Sequence, residues 1–366
     1  MSDLTLGFIG LGLIGGSIAR GMKRARPGTR IMAYMRTRTK LEQAKAEGIV
    51  DLILDRPDEN LSQCDVIFLC TPVEYNEQYL TTLLPVLKPG TLITDVGSTK
   101  ESIHELVSSL DMEACFIGGH PMAGSEKTGY ENSSDHLLEN AYYIITPTAR
   151  SSPEALDRMI WIAKTIGSIP IVLDYREHDR IVAAISHLPH IIASSLVNLV
   201  HAKDNNEEMM KRLAAGGFKD LTRIASASPE MWEQICMTNT GNIADMLQAY
   251  IDSLQQIHTQ LKHHDADGIH HLFAASRTYR DSVSDINKGS VAPDYSFHVD
   301  VLDEPGAIST LAVILSSNGI SIRNIGINHN REHQEGVLAV SFYDEESRQK
   351  AWQQLLRFNY RLIAYK

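Results

Sequence analysis

The run Gly10-Leu11-Gly12-Leu13-Ile14-Gly15 constrains the fold of this chain more than any other stretch. It follows an apolar run at residues 4–9 and opens a segment of helical spacing, so its glycines fall where a strand turns into a helix. At such a turn Gly10 permits the tight bend and Gly12 lets the backbone approach a pyrophosphate. Gly15 lets the helix pack close to the sheet. The helix N-terminus, begun by Leu13 and Ile14, then turns its unpaired N–H groups toward the phosphates. A doubly wound α/β domain binding a dinucleotide through Gly10, Gly12, Leu13, Ile14 and Gly15 is therefore expected.

The following residues keep the same rhythm. Short apolar runs at 30–35, 65–70, 91–96, 115–118, 142–145 and 169–173 alternate with amphipathic stretches, the pattern of a parallel Rossmann-type sheet wrapped by helices over residues 1–174. From Tyr175 no strand pattern appears for more than a hundred residues, so 175–290 reads as an all-α domain. There Ile243, Leu247, Tyr250, Leu254, Ile257 and Leu261 form a heptad stripe. A second helical stretch at 268–283 suggests an antiparallel hairpin, serving equally well as a dimer interface or as an intrachain core. Residues 287–294 read as a linker. The segment 294–366 then reads βαββαβ, a ferredoxin-like α+β unit entered by alternation at 295–301 and the turn Asp303-Glu304-Pro305-Gly306. Three domains are expected.

Composition narrows the partners. A net charge of −11 argues against nucleic acid and anionic membranes, which need a basic face. No continuous apolar run reaches the roughly 18 residues of a membrane helix, and the N-terminus lacks a basic leader region. Cys64, Cys70, Cys115 and Cys236 have no C-x-x-C spacing and read as reduced thiols. A cytoplasmic location is expected. Metal binding is not: the cluster His258, His263, His264, His270 and His271 flanks a helix–helix turn, where solvated side chains are the rule.

Which dinucleotide binds is left open by the second strand. NAD readers place an acid near its end for the ribose 2′-hydroxyl, but here Arg36, Thr37 and Arg38 stand there instead. They either receive a 2′-phosphate, as in NADP enzymes, or remain solvated while the backbone holds the ribose. Three motifs follow where a substrate would meet the nicotinamide. Asp95-Val96-Gly97-Ser98-Thr99-Lys100 and Gly118-Gly119-His120-Pro121-Met122-Ala123-Gly124-Ser125-Glu126 each follow a strand. Ser186-His187-Leu188-Pro189-His190 sets two histidines at i and i+3 on one helical face. Arg223, in the run Gly216–Ala225, offers a guanidinium suited to a carboxylate.

Taken in order, these motifs resemble those of the prephenate dehydrogenase family over essentially the whole chain, with G-G-H-P-M-A-G-S and S-H-L-P-H the strongest matches. The terminal βαββαβ unit resembles an ACT domain. The resemblance implies oxidative decarboxylation of prephenate to 4-hydroxyphenylpyruvate, with NAD as the family's acceptor and NADP left open by Arg36 and Thr37. It implies His120 as the base toward the substrate hydroxyl, oriented with Ser98. Arg223 would bind the ring carboxylate, and His190 and His187 would line the pocket. Asp220 would hold Arg223 or a histidine, and Ser125 and Glu126 would close over the site. Thr71 and Pro72, after the strand ending at Cys70, join the cofactor site. The ACT-like unit implies tyrosine as an effector, with Asp303, Pro305, Gly306 and Asn324 as its contacts, and a homodimer through the helical domain is expected. The rivals are arogenate dehydrogenase, a β-hydroxyacid dehydrogenase and, from another class, a non-catalytic sensor. Ser98, His120, His190 and Arg223 together argue against the last, since a sensor has no use for a base.

Overall fold

The computed structural model describes residues 4–57, 59–123, 128–290, 295–301, 304–328 and 336–364. They fall into two compact units, Met1–His258 and Thr259–Lys366. The first opens with β1 (Thr5–Ile9), α1 (Leu13–Ala25), β2 (Arg30–Tyr34), α2 (Arg38–Ala46), β3 (Leu52–Ile53), β4 (Val66–Leu69), α3 (Asn76–Leu83), β5 (Leu92–Asp95) and α4 (Glu101–Ser109). Its five parallel strands lie in the order β3-β2-β1-β4-β5, so the chain reverses direction across the sheet on leaving β3. Strand alternation divides the apolar residues between two cores. Leu6 and Phe8 face α1, with Phe8 stacked on Phe68 at 5.0 Å, whereas Ile9 and Leu69 face α3 and α4.

The chain continues through β6 (Ile117–Pro121), β7 (Tyr142–Pro147), α5 (Pro153–Thr165) and β8 (Ile169–Val172). These strands depart from the expected all-parallel sheet. β6 and β7 pair antiparallel, with His120 opposite Ile144, and only β7 and β8 are parallel. His120 thus lies within a strand and not beyond its end, two residues further into β6 than the apolar run 115–118 indicated. Gly118 and Gly119 explain why: a Cβ on either would meet Thr146 Oγ1 or the Asp95 carbonyl oxygen within 2.7 Å. The strand must pack closely there, so it uses glycines that hydropathy does not register.

The helical part of the first unit comprises α6 (Tyr175–Val182), α7 (Leu188–Lys203), α8 (Met209–Leu213), α9 (Gly216–Thr222), α10 (Pro229–Thr238) and most of α11 (Thr240–Lys262). Asp174 caps α6 by accepting from the amides of Arg176 and Glu177. A π-helical turn, Ala183–His187, joins α6 to α7. Pro189 accounts for its position: proline donates no N–H and its ring crowds the carbonyl four residues back, so the ladder widens before it. Tyr175–Lys203 is, among the described residues, the one helical stretch apolar and long enough to cross a bilayer. Its length is broken by that turn and it carries the buried His178, Asp179 and His187.

The helices that follow Tyr175 remain within the first compact unit. Asp179 accepts from the amides of Lys100 and Glu101, and Thr99 bonds Thr238, so these helices are fastened to the sheet. The heptad stripe of α11 starts buried at Ile243, yet Leu254 and Leu261 are 44% and 58% exposed.

The second unit holds the end of α11, then α12 (Ala266–Ser290), β9 (Tyr295–Val301), α13 (Ala307–Ser317), β10 (Ile322–Asn328), β11 (Gly336–Phe342), α14 (Glu345–Arg357) and β12 (Arg361–Ala364). Helix persists through Ser290, across the first half of the expected linker. The antiparallel sheet has the order β10-β11-β9-β12, which with two crossover helices is the ferredoxin-like arrangement. Phe297, Val299, Leu338, Val340 and Phe342 form its inner face, covered by Leu311 and Leu315 of α13 and by Leu355 of α14.

Candidate active site

The glycine turn has the properties a dinucleotide requires. Gly10 sits at φ +87°, and a Cβ there would lie 2.6 Å from the carbonyl oxygen of Cys70, so only glycine is tolerated. Its amide bonds the carbonyl of Tyr34, which pins the turn to the end of β2. Gly12, by contrast, has nothing within 4 Å of a would-be Cβ, leaving open space in front of α1. Leu13 and Ile14 form the first turn of that helix, and Gly15 packs it against Cys70. Thr71 and Pro72 follow β4, and the buried Oγ1 of Thr71 has no partner among the described residues. Open space, uncapped amides and an orphaned hydroxyl at one sheet edge fit a bound dinucleotide. Arg36 and Thr37 lie exposed beyond β2.

Beside the carboxyl end of β5, a chain of hydrogen bonds runs from β6, in the adjoining three-stranded sheet, to α6. His120 Nδ1 lies 2.8 Å from His178 Nε2, and His178 Nδ1 lies 2.7 Å from Asp179 Oδ1. The Asp179 carboxylate also accepts from the amides of Lys100 at 2.8 Å and Glu101 at 2.8 Å. A carboxylate only accepts, so His178 carries a proton on Nδ1, and in its neutral form it presents a lone pair at Nε2. His120 then donates through Nδ1, and its Nε2 is left with a lone pair. The tautomer of the half-buried His120 is thus dictated from two residues away.

The surrounding charges favour its neutral form. Burial, then the nearby His178, Lys100 and His187, hold the His120 imidazole well below its usual pKa. Lys100 is fully buried and pairs with Asp95, the last residue of β5, while donating to the carbonyl of Gly119 at 2.9 Å. Asp95 also accepts from the amides of Gly97 and Gly119. This pair ties β5 to β6 immediately beside His120. Ser98 occupies the half-buried loop between Asp95 and Lys100, with its hydroxyl unbonded among the described residues.

His187 and His190 do share a face, as their spacing predicts, and both meet Trp232 of α10. His190 stacks on the indole at 3.8 Å, and His187 meets it edge-on at 5.9 Å. His187 is buried, 3.2 Å from Asn239, which also donates to the carbonyl of Asp179; burial pushes its pKa down to about 4. His190 and Trp232 border a cavity of about 680 Å³ that continues past Ser194 and Ala225.

Arg223 opens the exposed turn Arg223–Ser226, and the cavity wall begins at the next residue, Ile224. Asp220 is exposed on α9, and no ion pair joins it to Arg223 or to a histidine among the described residues. Ser125, Glu126 and Asp303 lie outside the described residues. Of the other effector candidates, Gly306 sits at φ +96° before α13, Pro305 is exposed beside it, and Asn324 lies exposed on β10 after a register shift.

Sequence reasoning missed His178, Asp179, Lys100, Asp95, Trp232 and Asn239 as site residues. Asp95 and Lys100 stood inside a quoted motif, but His178-Asp179 lies in an ordinary amphipathic helix and carries no local signal.

A glycine turn in a doubly wound sheet, and a hydrogen-bonded histidine on the strand that follows that sheet, define a dinucleotide-dependent oxidoreductase. The nucleotide-binding domain of prephenate dehydrogenase matches residues 18–171, and that family's dimerization domain matches residues 174–275. The chain belongs to the prephenate dehydrogenase family. It is 38% identical over 361 residues to prephenate dehydrogenase of Bacillus subtilis, covering 96% of this chain and 95% of that one. The prephenate dehydrogenase of Lactococcus lactis is 36% identical, with 94% and 95% covered. Among solved structures, the Aquifex aeolicus prephenate dehydrogenase in complex with hydroxyphenyl propionate and NAD+ superposes with a TM-score of 0.72. It is 27% identical and covers 77% of this chain and 99% of its own. A Synechocystis arogenate dehydrogenase gives 0.68 at 30% identity, covering 76% and 100%.

Proposed function

We propose that this protein oxidises and decarboxylates prephenate to 4-hydroxyphenylpyruvate, with NAD as hydride acceptor. The observation carrying the proposal is the His120–His178–Asp179 chain, which leaves a neutral Nε2 at the edge of a dinucleotide-binding sheet. Prephenate bears a hydroxyl on one ring carbon and a carboxylate on the opposite one. His120 Nε2 takes the hydroxyl proton as hydride leaves that carbon, forming a ring ketone. The bound nicotinamide supplies the hydride acceptor. Loss of the carboxylate as carbon dioxide then sends its electron pair through the ring to the oxygen, and the proton on His120 returns to give the phenol. The base is therefore restored within one turnover.

Ser98 orients the hydroxyl with His120. Arg223 binds a substrate carboxylate, a contact that only a planar guanidinium makes bidentately. His190, held flat by Trp232, and His187 shape the pocket, and Ser125, Glu126 and Asp220 are its further candidate substrate residues. Exposure of Leu254 and Leu261 supports a homodimer formed through the helical region. The ferredoxin-like unit is read as an ACT-type regulatory module whose effector is tyrosine, approached through Pro305, Gly306 and Asn324. A cytoplasmic location accords with the soluble substrates.

Reduced-nicotinamide absorbance with prephenate and NAD tests the reading. Turnover is expected, and His120→Asn should lower kcat by about 10²- to 10⁴-fold. Silence with both prephenate and arogenate, in a folded protein that binds NAD, would overturn it.

A further inference from the structure

The corner where β2 passes into α2 holds three cations with unlike surroundings. Arg38 pairs with Asp55 and lies 3.2 Å from Glu42, while Lys40 lies 3.0 Å from Glu131. Arg36 meets no carboxylate among the described residues. Its guanidinium carbon stands 4.7 Å from the ring centre of Tyr75, and Nη1 reaches toward the Tyr75 hydroxyl at 3.4 Å. Tyr75 ends the turn Val73–Tyr75 after β4, and β1 lies between β2 and β4. Arg36 therefore reaches across the end of β1, above the glycine turn whose first amide bonds Tyr34. The aromatic face holds the cation in place without neutralising it.

We infer that Arg36, and not Arg38, reads the ribose 2′ position, and that it admits a 2′-phosphorylated dinucleotide alongside NAD. This rests on the dinucleotide-dependent reading given above. A cation already committed to two carboxylates gains little from a third anion, whereas Arg36 can form a charge-assisted pair at no such cost. With a plain 2′-hydroxyl, Arg36 stays solvated over Tyr75, so NAD is not rejected; an acid at this corner would instead repel the phosphate. Thr37, beside it, adds a hydroxyl with no hydrogen bond from its side chain to the helix it precedes.

Titration of the full chain with NADPH and NADH by fluorescence, and with adenosine 2′,5′-bisphosphate against adenosine 5′-monophosphate by calorimetry, tests this without requiring turnover. Both reduced dinucleotides should bind. Arg36→Gln should weaken NADPH and the bisphosphate by about tenfold or more, leaving NADH and the monophosphate within about threefold. Arg38→Gln should leave the NADPH-to-NADH ratio unchanged, and raised salt should weaken the bisphosphate selectively. Failure of NADPH to bind the unaltered protein, or an equal response of both probes to Arg36→Gln, would overturn the inference. Dinucleotide binding without turnover of prephenate would sink the proposed reaction and leave this assignment standing.

Discussion

His120 draws its chemistry from residues it does not resemble in sequence or position. Asp179 fixes the proton on His178, and His178 fixes the proton on His120, so the lone pair that the proposed proton transfer needs is chosen before substrate arrives. Because burial and neighbouring His178, Lys100 and His187 depress its pKa, His120 remains neutral as pH falls through the ordinary histidine value near 6.5. The acid limb of kcat/KM is accordingly expected below pH 6.5. When charged, His178 opposes a charge on His120, so His178→Gln should move the limb to higher pH. The same change should cut kcat by about 10- to 100-fold while the KM for prephenate stays within about threefold. A pH–rate profile with the limb unmoved would reduce His178 to a packing residue.

At this scale the placement of residues was readable where they sit in a motif. Ser98 and His120 lie on adjacent loop and strand at the sheet edge, and His187 and His190 share the face that their spacing gave them. His178 was unreadable because its meaning is a distance to His120, 58 positions away, and helical spacing holds no information about that. Trp232 was hidden for the same reason.

Among elements, the glycine turn was the most legible, since each glycine answers a separate demand of backbone geometry. Those demands can be tested apart. Gly10→Ala meets both a left-handed backbone and the Cys70 carbonyl oxygen, so it should lower the melting temperature and abolish dinucleotide binding together. Gly12→Ala points into open space; it should leave the melting temperature within about 2 °C, yet weaken NADH binding by about tenfold or more. Equal thermal losses in the two variants would show that Gly12 is kept for folding. The antiparallel β6 was not legible, because apolar runs mark burial but not direction. Nor was the π-helical turn before Pro189, although the proline that accounts for it stood in plain view.

For the molecule as a whole, the two compact units divide at His258 and Thr259, inside a helix and not at the composition breaks near Tyr175 and Asp294. Composition marks where secondary structure changes type; compactness depends on hydrogen bonds such as those joining Asp179 to Lys100, which cross the first of those breaks. The exposed Leu254 and Leu261 make a quaternary prediction. Leu254→Glu should shift the protein from dimer to monomer in sedimentation at micromolar concentration without changing its far-ultraviolet circular dichroism. An unchanged sedimentation coefficient would place the subunit contact elsewhere.

Asp179 also acts as a latch. Its carboxylate grips the two amides that begin α4, and the same oxygens set the state of the base through His178. Any excursion that lifts α6 from that helix start, as product escapes or solvent enters, would let His178 choose the other tautomer and turn its N–H toward His120. The proposed base is therefore armed only while the latch is shut, and stray proton transfer in an open cleft would be suppressed by the same bonds that hold the helices to the sheet.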